Sequence, residues 1–463
     1  MNQPTDAQSS PSGDIQFAAF VALDWADQEH AWALQVPSSQ HREQGTLAQT
    51  PEAIEQWAAA LAARFGGGPI AVALEQARGA LLYALSKYEH LVLFPIHPST
   101  SCQFRQALFP SQAKDDPKDA DLLLDLLLCH RDRLRPLRPD TPPIRQLQIL
   151  VERRRQLVDE KTAFRNRITD QLKQYFPQVL QWFDEVDSPL VAAFLECWPT
   201  LPELQASAPS EIMEFLHAHN SRCRARNEQR LQEIATARPL TTDAAVVQPA
   251  LLLVETLLKA GKALRDGIAK MEAAIARLCA EHSDYAIFDS FPGAGDVLAP
   301  RLLAAFGSKR ERYADAGELQ TYSGIAPVIS RSGKSRSIHF RWACPKFLRQ
   351  TFHEQAERSI QFSPWARLFY DGQRAKGKGH HAAVRSLAFK WIRILYRCWL
   401  DRIPYSEQRH AAALAARANA AMPKKPEAPA TRAQSAATKQ SQAPVEYVWE
   451  KVAGFSKFSA ATS

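Results

Sequence analysis

Several features that mark whole classes of protein are missing from this 463-residue sequence. Its seven cysteines are scattered and form no C-x-x-C pair, which argues against a zinc site and against a disulfide framework. The first 14 residues are polar and contain no apolar signal core, and no run approaches the ~18 apolar residues of a membrane span. We therefore expect a cytoplasmic protein with reduced thiols and no membrane partner.

The composition is that of a soluble globular chain, with 46% hydrophobic and 23% charged residues. The length predicts about three domains. A net charge of +8 and a pI near 9.1 indicate that the partners are polyanions such as nucleic acid. Because the excess is modest, its placement along the chain is more informative than its size.

Short apolar runs of strand length alternate with helical patterns over the first third of the sequence. The predicted strands are residues 17–24, 29–36, 70–74 and 91–96, and the predicted helices are residues 50–65 and 80–88. This alternation predicts an α/β domain over residues 15–140 with a largely parallel sheet. Residues 1–14 are predicted to be disordered.

Two long helical tracts dominate the middle of the sequence, over residues 142–177 and 245–282. Their apolar seams predict an antiparallel coiled-coil arm or a dimer contact within a helical region of residues 141–285. A further domain is predicted over residues 286–405. The Ala-, Pro- and Lys-rich remainder, residues 406–463, is predicted to be mostly disordered.

Four acidic residues stand where strands end or a helix begins. Asp24 and Glu75 follow predicted strands, and the carboxyl ends of strands in open α/β sheets are where ligands gather. Asp116 and Asp119 share the first turn of a helix predicted to begin at Pro117. Ribonuclease-H-like folds bring acids in this order to one end of the sheet, where a divalent cation neutralises them. Taken singly, each acid is better explained as a loop or helix-cap residue.

A basic segment with interleaved aromatic residues lies between positions 331 and 349 and contains no acid. Its six cations are Arg331, Lys334, Arg336, Arg341, Lys346 and Arg349. Together with Trp342 and Phe347 they predict contacts with a nucleic-acid backbone. Ser332, next to Gly333 and between cations, is either part of a plain turn or a nucleophile whose alkoxide the cations would stabilise.

A Pro-Gly-Ala-Gly turn at residues 292–295 precedes a helical pattern over residues 297–306. Backbone N–H groups exposed at Gly293 and Gly295, before a helix N-terminus, would suit a phosphate, as in the helix-hairpin-helix pattern. A plain connector between two helices is the alternative.

Taken together, these pieces resemble the DEDD transposases of IS110-type insertion sequences, with the Piv DNA invertases as relatives. The similar segments follow the family's order and are 20–25 (FVALDW), 72–75 (VALE), 114–120 (KDDPKDA), 165–176 (RNRITDQLKQYF), 292–295 (PGAG), 323–327 (SGIAP) and 332–333 (SG). The similarity covers roughly residues 17–400.

The resemblance implies a RuvC-like N-terminal domain whose ligands for Mg²⁺ are Asp24, Glu75, Asp116 and Asp119. It also implies a mainly helical C-terminal transposase domain whose serine attacks DNA and becomes covalently joined to it. That serine aligns with Ser332, and Ser330 is the second choice. Donor and target DNA, a structured guide RNA encoded by the element, and a homo-oligomer (dimer or tetramer) with a composite active site are further implications.

One departure from the family lies at Cys344-Pro345, which stand where the family has Gly-Asn, and a proline there restricts the loop. Two other functions stay open from the sequence. The first is a RuvC-like nuclease in which metal-activated water attacks and the serine is only structural. The second is a non-catalytic scaffold that binds nucleic acid.

Overall fold

A computed structural model describes residues 15–75, 79–108, 116–333 and 335–421, without the side chains of 116, 117 and 417–421. The chain divides into two units, Met1–Pro139 and Asp140–Ser463. The finer five-part division predicted above remains a prediction. Residues 1–14 and 422–463, for which disorder is predicted, lie outside the described residues.

Buried apolar runs of the first unit form one five-stranded sheet in the order β3-β2-β1-β4-β5. The strands are β1 (Ala19–Asp24), β2 (Glu29–Gln35), β3 (Arg42–Ala48), β4 (Ile70–Leu74) and β5 (Leu91–Pro95). The β1–β4 and β4–β5 pairs are parallel, whereas β1–β2 and β2–β3 are antiparallel. The α/β class is confirmed, but the largely parallel sheet is wrong, because two hairpin-connected strands make the sheet mixed.

The strand β3 was missed because its sequence, REQGTLA, carries almost no apolar pattern. Only Leu47 of this strand is buried, as befits an edge strand. Gly45 faces Trp32 of β2 so closely that a Cβ would come within 2.6 Å of the indole ring. The missing side chain of Gly45 therefore makes room for an aromatic group from the neighbouring strand.

Helices cover both faces of this sheet. They are α1 (Pro51–Arg64), α2 (Ala80–Leu85), α3 (Pro98–Leu108) and α4 (Asp116–His130). The Thr50 hydroxyl caps α1 by accepting from the Ala53 amide. On one face, α1 and α2 pack on alternate residues of β1 and β4 such as Val21 and Val72. On the other face, the leucine run of α4 packs on a second cluster of sheet residues.

The second unit is built around two long helices. They bracket a helical insert, and the helices in chain order are α5 (Pro142–Tyr175), α6 (Val179–Trp182), α7 (Pro189–Cys197), α8 (Leu201–Ala206), α9 (Pro209–Ala218), α10 (Arg224–Thr236) and α11 (Ala244–Ala280). The start of α5 shares a core with the end of α11, and the end of α5 shares another core with the start of α11. The pair is therefore antiparallel, and each of its ends is anchored in a different core.

The remaining elements follow along the chain, and most of the helices among them pack around the first of these two cores. They are α12 (Tyr285–Asp289), α13 (Gly295–Phe306), α14 (Ala316–Tyr322), β6 (Val328–Ser332), β7 (Ser335–His339), α15 (Lys346–Phe362), α16 (Pro364–Ala375), α17 (His380–Asp401) and α18 (Glu407–Ala421). Large aromatic side chains fill this core, among them Phe306, Phe352, Trp391 and Trp399. The two-stranded β6–β7 sheet was not predicted, since its strands bury almost nothing.

One described helix, α11, has the length and composition that a membrane span would need. The sequence contains no uninterrupted apolar run of that length. The few charged residues scattered along α11 still leave its average composition as apolar as a membrane span requires. A single such helix is weak evidence, because a core helix has the same properties. Most of the buried side chains of α11 belong to one or the other core of the second unit.

Candidate functional site

The predicted acids Asp24 and Glu75 lie at the same edge of the sheet. Asp24 is the last residue of β1, and Glu75 directly follows β4. The parallel register pairs Leu23 with Leu74, so the next residue of each strand is one of the two acids. The Ser101 hydroxyl of α3 donates to Glu75 Oε1 at 2.6 Å. The register therefore places these two residues side by side at one edge of the sheet.

The other two acids lie in the first turns of α4, which packs on β1. Asp119 is only 4% exposed, and its Oδ1 lies 2.7 Å from Nη2 of Arg105 in α3. The side chain of Asp116 lies outside the described residues. The helix α3 thus supplies a counter-group both to Asp119 and to Glu75, and neither Arg105 nor Ser101 was predicted from sequence. Nothing in the local pattern of α3 marks them, because they act through residues distant along the chain.

Within the described part of the chain, no three His, Cys, Asp or Glu side chains are grouped closely enough to hold a metal ion. The donor chemistry nevertheless suits a hard divalent cation, which prefers carboxylate oxygens. Arg105 partly neutralises Asp119, and such a cation would compete with that guanidinium. By residue type, the acids suit such a metal.

The predicted serines lie on an exposed hairpin that sorts its side chains by face. The turn begins at Gly333, whose φ of +55° suits glycine. Side chains alternate along a strand, and cross-strand partners share a face. The register therefore places four hydroxyls on one face: Ser330, Ser332, Ser335 and Ser337. Arg331 and Arg336 are paired on the opposite face. We call the face that carries the four hydroxyls the serine face.

A histidine also lies on the serine face. His339 Nε2 is 2.8 Å from the Ser337 hydroxyl, a distance at which an imidazole can accept a serine proton. The Ser337–His339 pair was missed in the sequence. Two Ser-Arg-Ser triplets flank Gly333 and Lys334, and this repeat was a usable signal for a hairpin with hydroxyls on one face.

The six predicted cations are not equivalent. Arg331, Arg336 and Lys346 are exposed, Arg341 and Arg349 are half-buried, and Lys334 lies outside the described residues. Arg349 Nη1 donates to the Arg341 carbonyl at 3.2 Å. Exposed Trp342 lies beside Phe340, with ring centroids 4.8 Å apart. The exposed members can meet a phosphate backbone, whereas Arg349 fixes the loop that carries Trp342.

Two arginines flank the ring of Phe340. The guanidinium carbons of Arg349 and Arg385 lie 4.6 and 4.2 Å from its centroid. Burial, helped by the nearby positive charge of Arg349, lowers the pKa of Arg385 to about 10. A bound anion near this pair would relieve that repulsion.

The unusual Cys344-Pro345 segment has a clear place in the fold. Pro345 precedes the first turn of α15. Gly324 has a φ of +73°, and a Cβ on it would collide with Cys344 Sγ. The Ser323-Gly324 turn therefore keeps glycine because the cysteine packs directly over it.

The Pro-Gly-Ala-Gly turn connects α12 to α13, but its glycines have different surroundings. A Cβ on Gly293 would lie 3.1 Å from the backbone of Arg358 and from the Phe362 ring, so this glycine permits close packing on α15. A Cβ on Gly295 would meet nothing within 4 Å. Asp296 in the first turn of α13 adds a negative charge where phosphate binding was predicted. Helix packing accounts for Gly293 without any ligand.

A cavity of about 490 Å³ adjoins the start of α13. Its walls include Arg154, Arg155 and Glu272 of the long helices and Arg301 of α13. Arg301 Nη1 bonds Glu354 at 2.5 Å, and Arg154 bonds Glu272 at 2.6 Å. These arginines are paired with carboxylates, which makes the wall an ion-pair network.

Comparison with known proteins places the chain in a family. A model of IS110-kind DEDD transposases, described as "Transposase", matches residues 21–177. A second, described as "Transposase IS116/IS110/IS902 family", matches residues 285–371.

Several relatives match along much of their length. A protein of Streptomyces coelicolor, named as the mini-circle transposase for IS117, is 30% identical over 84% of this chain and 96% of its own. An uncharacterized 42 kDa protein of insertion element IS900 from Mycobacterium paratuberculosis is 27% identical over 78% of this chain and 90% of its own. An uncharacterized 43.6 kDa protein of insertion element IS110 from Streptomyces coelicolor is 27% identical over 65% of this chain and 74% of its own. The chain therefore belongs to the IS110-type transposases, the DNA transposases and recombinases of insertion sequences.

Proposed function

We propose that this transposase cuts DNA by attack of a hydroxyl on the serine face, with Ser332 as nucleophile and Ser330 as second choice. The observation that supports this most directly is the exposed position of Ser332 beside the Gly333 turn, at the tip of a hairpin. A nucleophile at a hairpin tip can reach a duplex without the chain having to open. Arg331 and Arg336 lie on the opposite face, so they would hold a phosphate other than the one attacked.

The proposed step exchanges one ester for another. Ser332 Oγ attacks the phosphorus and loses its proton to water, while an Oγ–P bond forms and the P–O3′ bond breaks. The 3′ oxygen takes up a proton and leaves as a hydroxyl, so the 5′ end stays joined to the protein. Rejoining is the reverse attack by a 3′ hydroxyl on this linkage, which needs no external energy source.

The test is to trap the covalent protein–DNA adduct by denaturation during the reaction. Ser332→Ala should reduce the adduct at least a hundredfold while leaving DNA binding intact. Ser330→Ala and Ser337→Ala, on the same face, are the matched controls and should keep most of it. Loss in Ser330→Ala or Ser337→Ala, with adduct retained in Ser332→Ala, would move the nucleophile to that residue.

We further propose that Asp24, Glu75, Asp116 and Asp119 bind a divalent cation, with Mg²⁺ as the physiological ion. The adjacency of Asp24 and Glu75 at the sheet edge supports this, as does the position of α4 against β1. A bound cation would supply positive charge to a scissile phosphate. The carboxylates would orient the cation, Ser101 would hold Glu75 in place, and Arg105 would compete with the cation for Asp119. We infer a RuvC-like fold for the first unit on the same grounds.

The rival function is a nuclease in which the acids activate water and the serine is structural. The acid pair at the sheet edge favours it independently of the hairpin. Free 5′ phosphates in Ser332→Ala at the wild-type rate would support this rival. Tight DNA binding without any strand cleavage in the wild-type protein would instead support a non-catalytic scaffold.

We infer that the active complex is a homo-oligomer of this chain, a dimer or a tetramer, that binds a structured guide RNA. The exposed cations and Trp342 suit RNA, since stacking on aromatic rings accepts any base. The exposed leucines of α11, Leu252 and Leu253, suit a protein contact. Ribonuclease treatment should abolish site-specific cleavage, and analytical ultracentrifugation should give the mass of a dimer or tetramer. A monomer that cleaves DNA without any RNA would contradict both inferences.

A further inference from the structure

The positive charge of this protein is concentrated near its C-terminal helices. Residues 358–409 contain eleven Lys and Arg and three acids, so their net charge equals the +8 of the whole chain. The rest of the sequence is therefore neutral on balance. Most of this segment lies beyond the matched residues 285–371 and beyond the basic segment at 331–349. An excess of positive charge of this size attracts a polyanion.

The helix α17 sorts its residues into a core face and a cationic face. Its core side is buried in the large aromatic core, through Leu387, Trp391 and Leu395 among others. Lys390, Arg393 and Arg397 are exposed, and their i, i+3, i+7 spacing puts them on one side of the helix over ~10 Å. Arg397 bonds Asp401 at 2.5 Å. Across the described ranges, no ion pair involves Lys390 or Arg393.

The loop before α17 extends this line of charge. Ser386 lies one turn before Lys390, and Lys378 Nζ donates to its hydroxyl at 3.2 Å. Arg374 Nη1 in turn donates to the Lys378 carbonyl at 2.9 Å. Burial, with the nearby charge of Lys376, lowers the pKa of Lys378. A bound anion would offset the free-energy cost of keeping the Lys378 ammonium charged in this environment.

We refer to five residues as the α17 row: Arg374, Lys378, Lys390, Arg393 and Arg397. We propose that the α17 row binds the phosphate backbone of duplex DNA, without reading its bases, through residues that lie outside the basic segment at 331–349. This goes beyond the cleavage chemistry proposed above.

Two features favour duplex DNA as the occupant. From Ser386, whose hydroxyl marks the position of the Lys378 ammonium, to Arg397 the distance along α17 is ~16 Å. A duplex presents one phosphate per ~3.4 Å of axis on each strand, so the row faces several phosphates. Single-strand sites use exposed aromatic rings for base stacking. The aromatic rings of α17 are instead packed on the core: Trp391 and Trp399 are buried, and Phe389 and Tyr396 are half-buried. The surface can therefore neutralise a backbone, but α17 offers no exposed Phe, Tyr or Trp ring on which a base could stack.

The experiment measures the affinity of the full-length protein for a random-sequence duplex between 50 and 200 mM salt, a range over which counterion release is well resolved. The variant is Lys390→Gln with Arg393→Gln. Removing two phosphate contacts should lower the magnitude of the slope of log K against the logarithm of the salt concentration by about 1.8, where K is the association constant for the duplex. The matched control is Lys262→Gln with Lys270→Gln, two exposed cations of α11, which should leave the slope unchanged. Thermal unfolding confirms that both variants fold.

An unchanged slope in the α17 variant would overturn the proposal. An equal fall in both variants would also overturn it, since the effect would then be general charge. A fall seen only with a structured RNA would reassign the surface to RNA. The test is independent of catalysis: a wild-type protein that forms no adduct contradicts the serine chemistry, while the slope still decides the role of the row.

Discussion

At the scale of single residues, what a side chain does here depends on which partner the fold gives it. Arg331 and Arg349 belong to the same basic segment, yet one is exposed and the other is bonded to the loop. Asp24 and Asp119 belong to the same predicted cluster, yet Asp119 is buried against Arg105. Residue type alone did not distinguish these cases.

Removing Arg105 should make the acids of the first unit more responsive to a cation. In Arg105→Gln the buried Asp119 loses a close positive partner, which should destabilise the protein by about 3–5 kcal/mol. Mg²⁺ no longer competes with the guanidinium, so millimolar Mg²⁺ should raise Tm more in this variant than in the wild type. The readout is thermal unfolding with and without Mg²⁺.

The control for this experiment is Arg64→Gln, which removes the exposed Arg64–Glu43 pair of the same unit. It should show no added response to Mg²⁺. If Arg105→Gln responds no more than this control, Asp119 is not a ligand.

Gly324 should tolerate no side chain. Gly324→Ala places a Cβ against Cys344 Sγ at a φ of +73°, and we expect a loss of about 2–4 kcal/mol in the free energy of unfolding. Gly372→Ala, at an open position inside α16, should instead stabilise by about 0.5–1 kcal/mol. Urea unfolding of both variants measures the difference. A neutral Gly324→Ala would mean that the 324 and 344 segments separate readily.

At the scale of elements, the packing of α15 against α17 encloses a titratable group. His353 of α15 lies with its ring 5.8 Å from that of His381. Burial, reinforced by the charge of Arg385, lowers its pKa, while Glu357 opposes the change. His353 is therefore neutral in the folded state near neutral pH.

The expected pH dependence follows from this lowered pKa. Below the ordinary histidine pKa of ~6.5 the unfolded chain binds a proton that the folded state resists. The contribution of neutral His353 to the free energy of unfolding is therefore fully present above pH ~6.5. It is lost as the pH drops toward the lower pKa that His353 has in the folded state. In His353→Gln the decline in unfolding free energy between pH 7 and 5 should be shallower, measured by urea titration. The exposed His217→Gln is the control, and an identical decline in both would contradict the assignment.

At the scale of the whole molecule, the first unit has its own cores on both sides of its sheet. We expect residues 1–139 expressed alone to unfold cooperatively, with near-ultraviolet circular dichroism showing fixed aromatic packing. A compact state without that signal would show that this unit depends on the rest of the chain.

Much of the local structure was readable from sequence. The helix α1, the strand β4, and the long helices α5 and α11 all lie within a few residues of their predicted positions. In each case the burial pattern is strong and local, so spacing alone reveals it. The exposed strands β3, β6 and β7 were missed, because a strand that buries little leaves no apolar alternation.

Family membership, the α/β class and the acid pair at the sheet edge follow from motifs in a readable order along the chain. Those motifs reflect neighbours in sequence and the common edge of parallel strands. The mixed sheet, the sorting of serines from arginines on the hairpin, and the bonding of Asp119 to Arg105 depend on pairings between distant segments. Such pairings arise from register and packing, and no local pattern encodes which of several similar side chains will meet.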